Sequence, residues 1–227
     1  MTWPELGEGA TGAAGRLLAV PLGSCEQHGP HLPLATDTLV AGALAFRLAA
    51  QRTDVVVAPA MPFGASGEHA GFPGTLSIGT DALESVLVEL GRSADQFAGV
   101  VFVNGHGGNV DALSRADHRL TDEGRRVVAW TPSVDGGDAH AGRTETSLLL
   151  ALHPELVALE RAEAGDRRPL RELWPSLRAG GVAVVAPNGV LGDPAGASAA
   201  EGTRLLDALA ADLARLVAQR FGPPPAA

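Results

Sequence analysis

The chain has 227 residues, 45% of them hydrophobic and 19% charged, with a formal net charge of -9. That is the size of one α/β domain with a full core, and too apolar a composition for a disordered chain. The acidity argues against a nucleic-acid partner, and the absence of lysine excludes a Schiff-base or pyridoxal-phosphate site, a Walker A lysine and a lysine general base.

Residues 1–15 contain neither a basic nor an apolar segment, so they read as a loose N-terminus and not as a signal sequence. Residues 16–22 (RLLAVPL) form an apolar run ending in Gly-Ser, the pattern of a buried strand opening into a loop. Residues 37–51 have helical length and composition with Thr36 or Asp37 at their start, and residues 55–61 read as a second strand. The Gly/Pro-rich stretch 62–79 leads to a helix over 81–97, with Thr80 as its cap. Residues 100–103 are a third strand, 104–109 a glycine-rich loop, 110–123 a helix and 126–130 a fourth strand. A second glycine-rich loop at 135–142 precedes a helix near 144–152. Residues 182–186 are a further strand candidate, and 198–220 form a long helix rich in Ala and Leu. The tail 221–227 (FGPPPAA) is expected to fray.

Strands alternating with helices predict a three-layer α/β/α fold around a mostly parallel sheet, as one domain over residues 1–227, with ligands bound outside the carboxyl ends of the strands. No apolar run reaches ~18 residues, which argues against a membrane partner. The lone Cys25 fits a reducing compartment, so the expected location is cytoplasmic.

The loops at the strand ends carry the chemistry. The densest, residues 23–37 (GSCEQHGPHLPLATD), contains Glu26, His28, His31 and Asp37. In an extended segment side chains two apart share a face, so Glu26 and His28 can address one site while Cys25 and Gln27 point away. Asp37, starting the next helix, can return to the same place. Carboxylate oxygens with imidazole nitrogens suit Zn, Mn, Fe(II) or Co, and a shared carboxylate can bridge two ions. A loop whose polar side chains serve only its own backbone is the better reading for any one of these residues, and the poorer one for four within twelve positions.

In residues 104–109 (NGHGGN), three glycines surround His106. A phosphate cradle there would require glycine where Val110 stands, or the absent lysine, so His106 reads as a ligand. Residues 138–147 (DAHAGRTETS) put His140 in a loop and Glu145 at a helix start, where a carboxylate often only caps. Residues 64–74 (GASGEHAGFPG) add Ser66, Glu68 and His69, but the G-x-S-x-G of a serine nucleophile is not matched. Glu26, Asp37 and Glu145 bring three negative charges, and His28 and His106 bind as neutral imidazoles. Two divalent ions therefore leave the site near +1, which a bridging hydroxide neutralises.

Taken together, GSCEQHGPHLPLATD, GASGEH with FPGTLSIGT, VNGHGGN and HAGRTETS resemble, in their order along residues 21–150, the creatininase family of metal-dependent amidohydrolases. The resemblance implies a creatininase-like fold and two divalent metal ions per chain, Fe2+ or Zn2+ with Mn2+ also compatible. It implies Glu26, His28 and His106 as ligands and Asp37 as the bridge. Where creatininase takes a further ligand from a glutamate two residues beyond that histidine, this chain has Gly108, and Glu145 is the expected replacement. Within the family the chain is most similar to the peptidases of mycofactocin maturation, through stretches reaching to about residue 202. That likeness implies hydrolysis of a peptide bond in a modified ribosomal precursor peptide, with a metal-bridging hydroxide as nucleophile and release of a C-terminal crosslinked Val-Tyr dipeptide. His140 is the expected proton donor to the leaving amine, with orientation of Glu145 as its other reading. Glu68 and His69 are expected to contact substrate or support the ligands. The resemblance also implies a homo-oligomer, a hexamer. Two rival readings are a hydrolase of a small cyclic amide or formamide, of the creatinine or formamidopyrimidine type, and a silent metal-binding scaffold subunit.

Overall fold

The computed structural model describes residues 2–7 and 12–225. Four strands, β1 (Leu17–Leu22), β2 (Val55–Val57), β3 (Gly99–Asn104) and β4 (Val127–Trp130), form one sheet in the order β2-β1-β3-β4. Every pairing is parallel: Leu17 stands opposite both Val55 and Gly99, and Val100 opposite Val127. The helices are α1 (Trp3–Gly7), α2 (Thr36–Gln51), α3 (Thr80–Ser93), α4 (Val110–Asp122), α5 (Arg143–Leu152), α6 (Leu170–Gly180), α7 (Val182–Val185) and α8 (Ala199–Phe221).

Alternation along the strands feeds two apolar layers, one on each face of the sheet. Leu17, Ala19, Val101 and Val103 pack with Leu44 and Leu48 of α2, Leu149 of α5 and Leu206 and Leu213 of α8. Val20, Leu22, Val100 and Phe102 pack on the other side with Leu83 and Leu87 of α3 and Leu113 and Leu120 of α4. Burying each such leucine contributes about 1.5–3 kcal/mol. The result is the expected three-layer α/β/α arrangement.

Residues 182–186 are not a strand. Gly181, at φ +74°, ends α6 and opens the short helix α7, and Leu173, Leu177, Val182, Ala186 and Leu191 form a third apolar cluster. Packing against α6 overrides the β preference of Val-Ala-Val-Val. Helix α6 itself had no counterpart in the sequence reading, because Pro175 lies inside it and interrupts the helical pattern. Strand β2 stops at Val57, and only an isolated bridge from Met61 to Leu22 extends its pairing. Thr80 is the first residue of α3 and not its cap; Gly79, at φ +79°, takes that position without a side-chain bond.

The terminal segments also differ in detail from the reading. Trp3–Gly7 is a short helix with no buried residue, and Phe221 is the last residue of α8, its ring 5.2 Å from the Arg126 guanidinium. Residues 226–227 lie outside the described residues. No helix among the described residues is long and apolar enough to cross a membrane.

Candidate metal centre

All four strands send a loop to the same edge of the sheet, around the point between β1 and β3 where the chain order reverses. The loop after β1 brings Glu26 and His28, and the first turn of α2 brings Asp37. After β2, the 3-10 turn Gly67–His69 presents Glu68 and His69. His106 follows β3, and His140 and Glu145 follow β4, Glu145 in the first turn of α5. Close approach is built in: a Cβ on Gly105 would press on the Asp37 carbonyl oxygen.

Asp37 joins two histidines. Its Oδ1 is 3.0 Å from His28 Nε2 and its Oδ2 is 3.1 Å from His106 Nδ1, while Ser24 Oγ donates to Oδ2 at 2.8 Å. Glu145 Oε2 lies 3.9 Å from His28 Nε2 and accepts from the backbone N–H of Ala141. Ala141 holds φ +51°, a strained conformation for a residue with a Cβ, at the point where the loop must aim that N–H. His28 Nδ1 donates to the Glu26 carbonyl at 3.1 Å, which points Nε2 toward Asp37 and Glu145.

Glu26 is fully buried, yet neither of its carboxylate oxygens accepts a hydrogen bond. Around it stand imidazole nitrogens of His106 at 3.1 Å, His69 at 3.4 Å and His140 at 3.8 Å. An ionised carboxylate left this way is costly unless a cation shares its site. Ligand atoms of Glu26, Asp37 and His106 all lie within 4.8 Å of one another, as do those of His28, Asp37 and Glu145, and those of Glu26, His28 and His140. The first two trios share Asp37. This donor set of carboxylate oxygens and imidazole nitrogens fits divalent cations such as Zn2+, Mn2+ or Fe2+.

The charges are interlocked. Burial opposes charge on His28 and His106, but Asp37 and Glu26 outweigh it, pushing His28 up to about 10 and His106 well above its usual value. Asp37 is buried too, yet His28 and His106 hold it well below the usual carboxylate range. Burial pushes Glu145 up to about 7, against the pull of His28, and raises Glu68 as well. Burial pushes His69 down to about 4 and His140 well below its usual value, with the positive charge on neighbouring histidines adding to it.

Gln27 does not point away. It is buried, with its Nε2 2.9 Å from His69 Nδ1, 3.1 Å from His140 Nε2 and 3.0 Å from the Gly189 carbonyl, to which it donates. His140 Nε2 is also 2.8 Å from the Gln27 carbonyl oxygen, an arrangement that assigns the proton to Nε2 and leaves Nδ1 facing Glu26. His31 lies outside the trios, its Nε2 2.8 Å from Thr146 Oγ1. Ser24, Gln27 and Asn109 were missed as site residues. Asn109 donates to Gly23 and Asn104 and accepts from Ala65, stitching three loops together. All three lie inside or beside the motifs that carry the ligands, and that adjacency was the available signal.

The cluster opens on a cavity of about 820 Å3, whose lining includes Glu26, Asp37, His106, His140 and Glu145 together with Leu170, Trp174, Leu177 and Arg178 of α6. The creatinine amidohydrolase family model matches residues 1–217. The chain belongs to the creatininase family. Creatininase-family membership makes it a hydrolase acting on C–N bonds. It is 53% identical over 219 residues to the mycofactocin precursor peptide peptidase of Mycobacterium tuberculosis, covering 92% of this chain and 86% of that protein. It is 55% identical over 197 residues to the enzyme of the same name from Mycolicibacterium smegmatis, covering 83% and 79%. A crystal structure of creatinine amidohydrolase superposes with a TM-score of 0.78 at 26% identity, over 98% of this chain and 96% of that one. A structure described as creatininase Mn gives 0.75 at 27% identity, over 98% and 97%.

Proposed function

We propose that this creatininase-family chain is a binuclear peptidase that cuts the modified mycofactocin precursor peptide and releases its C-terminal crosslinked Val-Tyr dipeptide. The observation that carries the binuclear reading is Asp37, shared between the Glu26–Asp37–His106 and His28–Asp37–Glu145 trios. The relatives named as precursor peptide peptidases support the substrate. When bound there, two divalent cations polarise a scissile carbonyl and bring the pKa of an adjoining water toward neutrality.

The chain's own residues do the rest. Glu26, His28, Asp37, His106 and Glu145 hold the cations, and Ser24 and the Ala141 N–H keep two of the carboxylates aimed. His140, neutral and with Nδ1 turned inward, accepts the proton from the attacking water and passes it to the leaving amine. Gln27 fixes the rings of His140 and His69, so the proton moves at a defined atom. Glu68 flanks His106 at the cavity and serves as a substrate-side contact.

The test is mass spectrometry of metal-loaded protein with the crosslinked precursor peptide and, separately, with creatinine. Release of the dipeptide with creatinine untouched is expected. Creatinine turnover with no dipeptide released would reverse the assignment, and metal binding without turnover of either would point to a scaffold.

A further inference from the structure

Of the acidic and histidine side chains in the loop 23–37, Glu26, His28 and Asp37 belong to the donor trios and His31 does not. His31 is buried all the same. Its Nε2 stands 2.8 Å from Thr146 Oγ1, while Nδ1 has no hydrogen-bond partner. With no acceptor for a proton at Nδ1, the ring carries its proton on Nε2 and donates it to the Thr146 hydroxyl. Burial and the neighbouring charge of His28 both push the His31 pKa down, so the ring stays neutral.

A buried histidine bonded to a threonine is ordinary core chemistry; what sets this pair apart is where its two ends stand. His31 follows His28 by three residues, and Thr146 directly follows Glu145 in the first turn of α5. Apart from the approach of Glu145 Oε2 to His28 Nε2 at 3.9 Å, this bond is the one polar side-chain contact among the described residues that joins the loop 23–37 to α5. His31 is anchored on its other side too, because its carbonyl accepts from the Ala158 N–H at 2.9 Å. Gly29, at φ +64°, makes the turn that brings the ring back, and a Cβ there would press on Val190 and on His31 Nδ1. The Ala141 N–H also aims the Glu145 carboxylate, but from the same chain segment, so it cannot set how far α5 stands from the loop that carries His28.

We propose that the His31–Thr146 bond is a strut that sets the gap between His28 and Glu145, which makes both of its ends positioning residues for the cation held by the His28–Asp37–Glu145 trio. The inference rests on the binuclear reading and adds to it what fixes the spacing of that trio. Without the Thr146 hydroxyl, α5 is held to the loop mainly by apolar packing, Leu32 sharing one cluster with Leu148 and Leu149. Packing is non-directional and fixes a position less sharply than a hydrogen bond does. Glu145 then loses its register with His28, whereas the Glu26–Asp37–His106 trio takes no ligand from α5 and keeps its geometry.

The experiment titrates chelator-treated protein with Co2+, reading affinity by competition with a chromogenic chelator and ligand geometry by the visible absorption of the bound ion. It compares wild type, Thr146→Val, Thr146→Ser, Glu145→Gln and the double variant Thr146→Val with Glu145→Gln. Thr146→Val keeps the shape of the side chain without its hydroxyl. It should weaken one ion by about 10- to 100-fold, the usual effect of removing a group that orients ligands, change that ion's absorption, and leave the other ion unchanged. Thr146→Ser, which retains the hydroxyl, should bind as the wild type does. The double variant should bind Co2+ no more weakly than Glu145→Gln alone, since the ligand that the strut positions is already gone. A bond that only holds the fold together would lower the unfolding temperature of Thr146→Val and leave its Co2+ affinities and spectrum unchanged, which overturns the inference. So does a loss shared equally by both ions, a loss repeated in full on top of Glu145→Gln, or a Thr146→Ser protein as impaired as Thr146→Val. Thr146→Ala, lacking the same hydroxyl, takes the place of a Thr146→Val protein that does not fold, and failure of both to fold also overturns the inference. A wild type that saturates at one Co2+ overturns the binuclear reading instead; the strut then stands if Thr146→Val weakens that ion only while Glu145 is present, and falls otherwise.

Discussion

The carboxylate of Glu68 stands in the space that any side chain at Gly108 would need. Its Oε1 is 3.5 Å from His106 Nε2, and a Cβ at position 108 would run into Glu68 Oε1, His106 Nε2 and the Ala65 carbonyl oxygen. The glycine is therefore a packing requirement of this site as well as the absence of a ligand. Gly108→Ala should cost about 1–3 kcal/mol through overpacking and lower metal occupancy by displacing His106. Adding Glu68→Ala should recover only part of this, since the Ala65 carbonyl and His106 remain in the way. Thermal unfolding with elemental analysis checks it; a Gly108→Ala protein with unchanged stability and full occupancy would contradict the packing argument.

The shared position of Asp37 predicts unequal losses. Glu145→Gln removes a charge from the His28–Asp37–Glu145 trio alone and should leave about one ion per chain with the fold intact. Asp37→Asn strikes both trios and should leave close to none. Elemental analysis after anaerobic purification and reloading reads both. If Glu145→Gln keeps two ions, Glu145 returns to a helix-start carboxylate that only accepts the Ala141 N–H.

The sheet and its helices were legible because strands β1, β3 and β4 are continuous apolar runs and the long helices have clear apolar faces. Glu26, His28, Asp37, His106, His140 and Glu145 could be named from three motifs, because each motif follows a strand whose end faces the same edge. What the sequence hid depends on where loops turn. Gln27 was placed on the wrong face by assuming a straight strand through residues 25–28, whereas the chain there carries only isolated bridges at Cys25 and His28, and the side chain turns in to His69 and His140. Helix α6 was hidden by Pro175, and with it the wall of the cavity.

Gln27 offers a prediction of its own. Gln27→Leu keeps the approximate volume but strands the His69 ring nitrogen and the Gly189 carbonyl without their amide partner. The expected outcome is a loss of about 10- to 100-fold in activity, the usual worth of groups that orient a metal site, with a stability cost of about 1–3 kcal/mol. Steady-state kinetics and unfolding curves measure the two effects. Wild-type turnover in a folded Gln27→Leu protein would remove Gln27 from the mechanism.

The last prediction concerns protons, because cations and protons compete for the same atoms. In the metal-free protein His28 titrates near 10, raised from the model-peptide 6.5 chiefly by Asp37 against the opposing effect of burial. At pH 7 it therefore carries a proton that an incoming cation must expel, and Glu145, near 7, carries a fraction of another. Metal affinity should rise steadily between pH 6 and 9, with protons released on binding; calorimetric titrations in buffers of different ionisation enthalpy count them. The same shift acts on folding. A pKa raised in the folded state gives stability that is fully present below 6.5 and is lost as pH climbs toward about 10. Asp37, held well below its usual 3.8, works the other way: its contribution is present above that value and is lost as pH falls further. Chelator-treated protein should thus be most stable on the acid side of neutrality and weaken through pH 7 to 9, while the metal-loaded protein, with His28 already deprotonated, should not follow that decline. Unfolding temperatures of both forms across this range decide it: parallel curves, or a metal affinity independent of pH, would mean that His28 is not among the ligands.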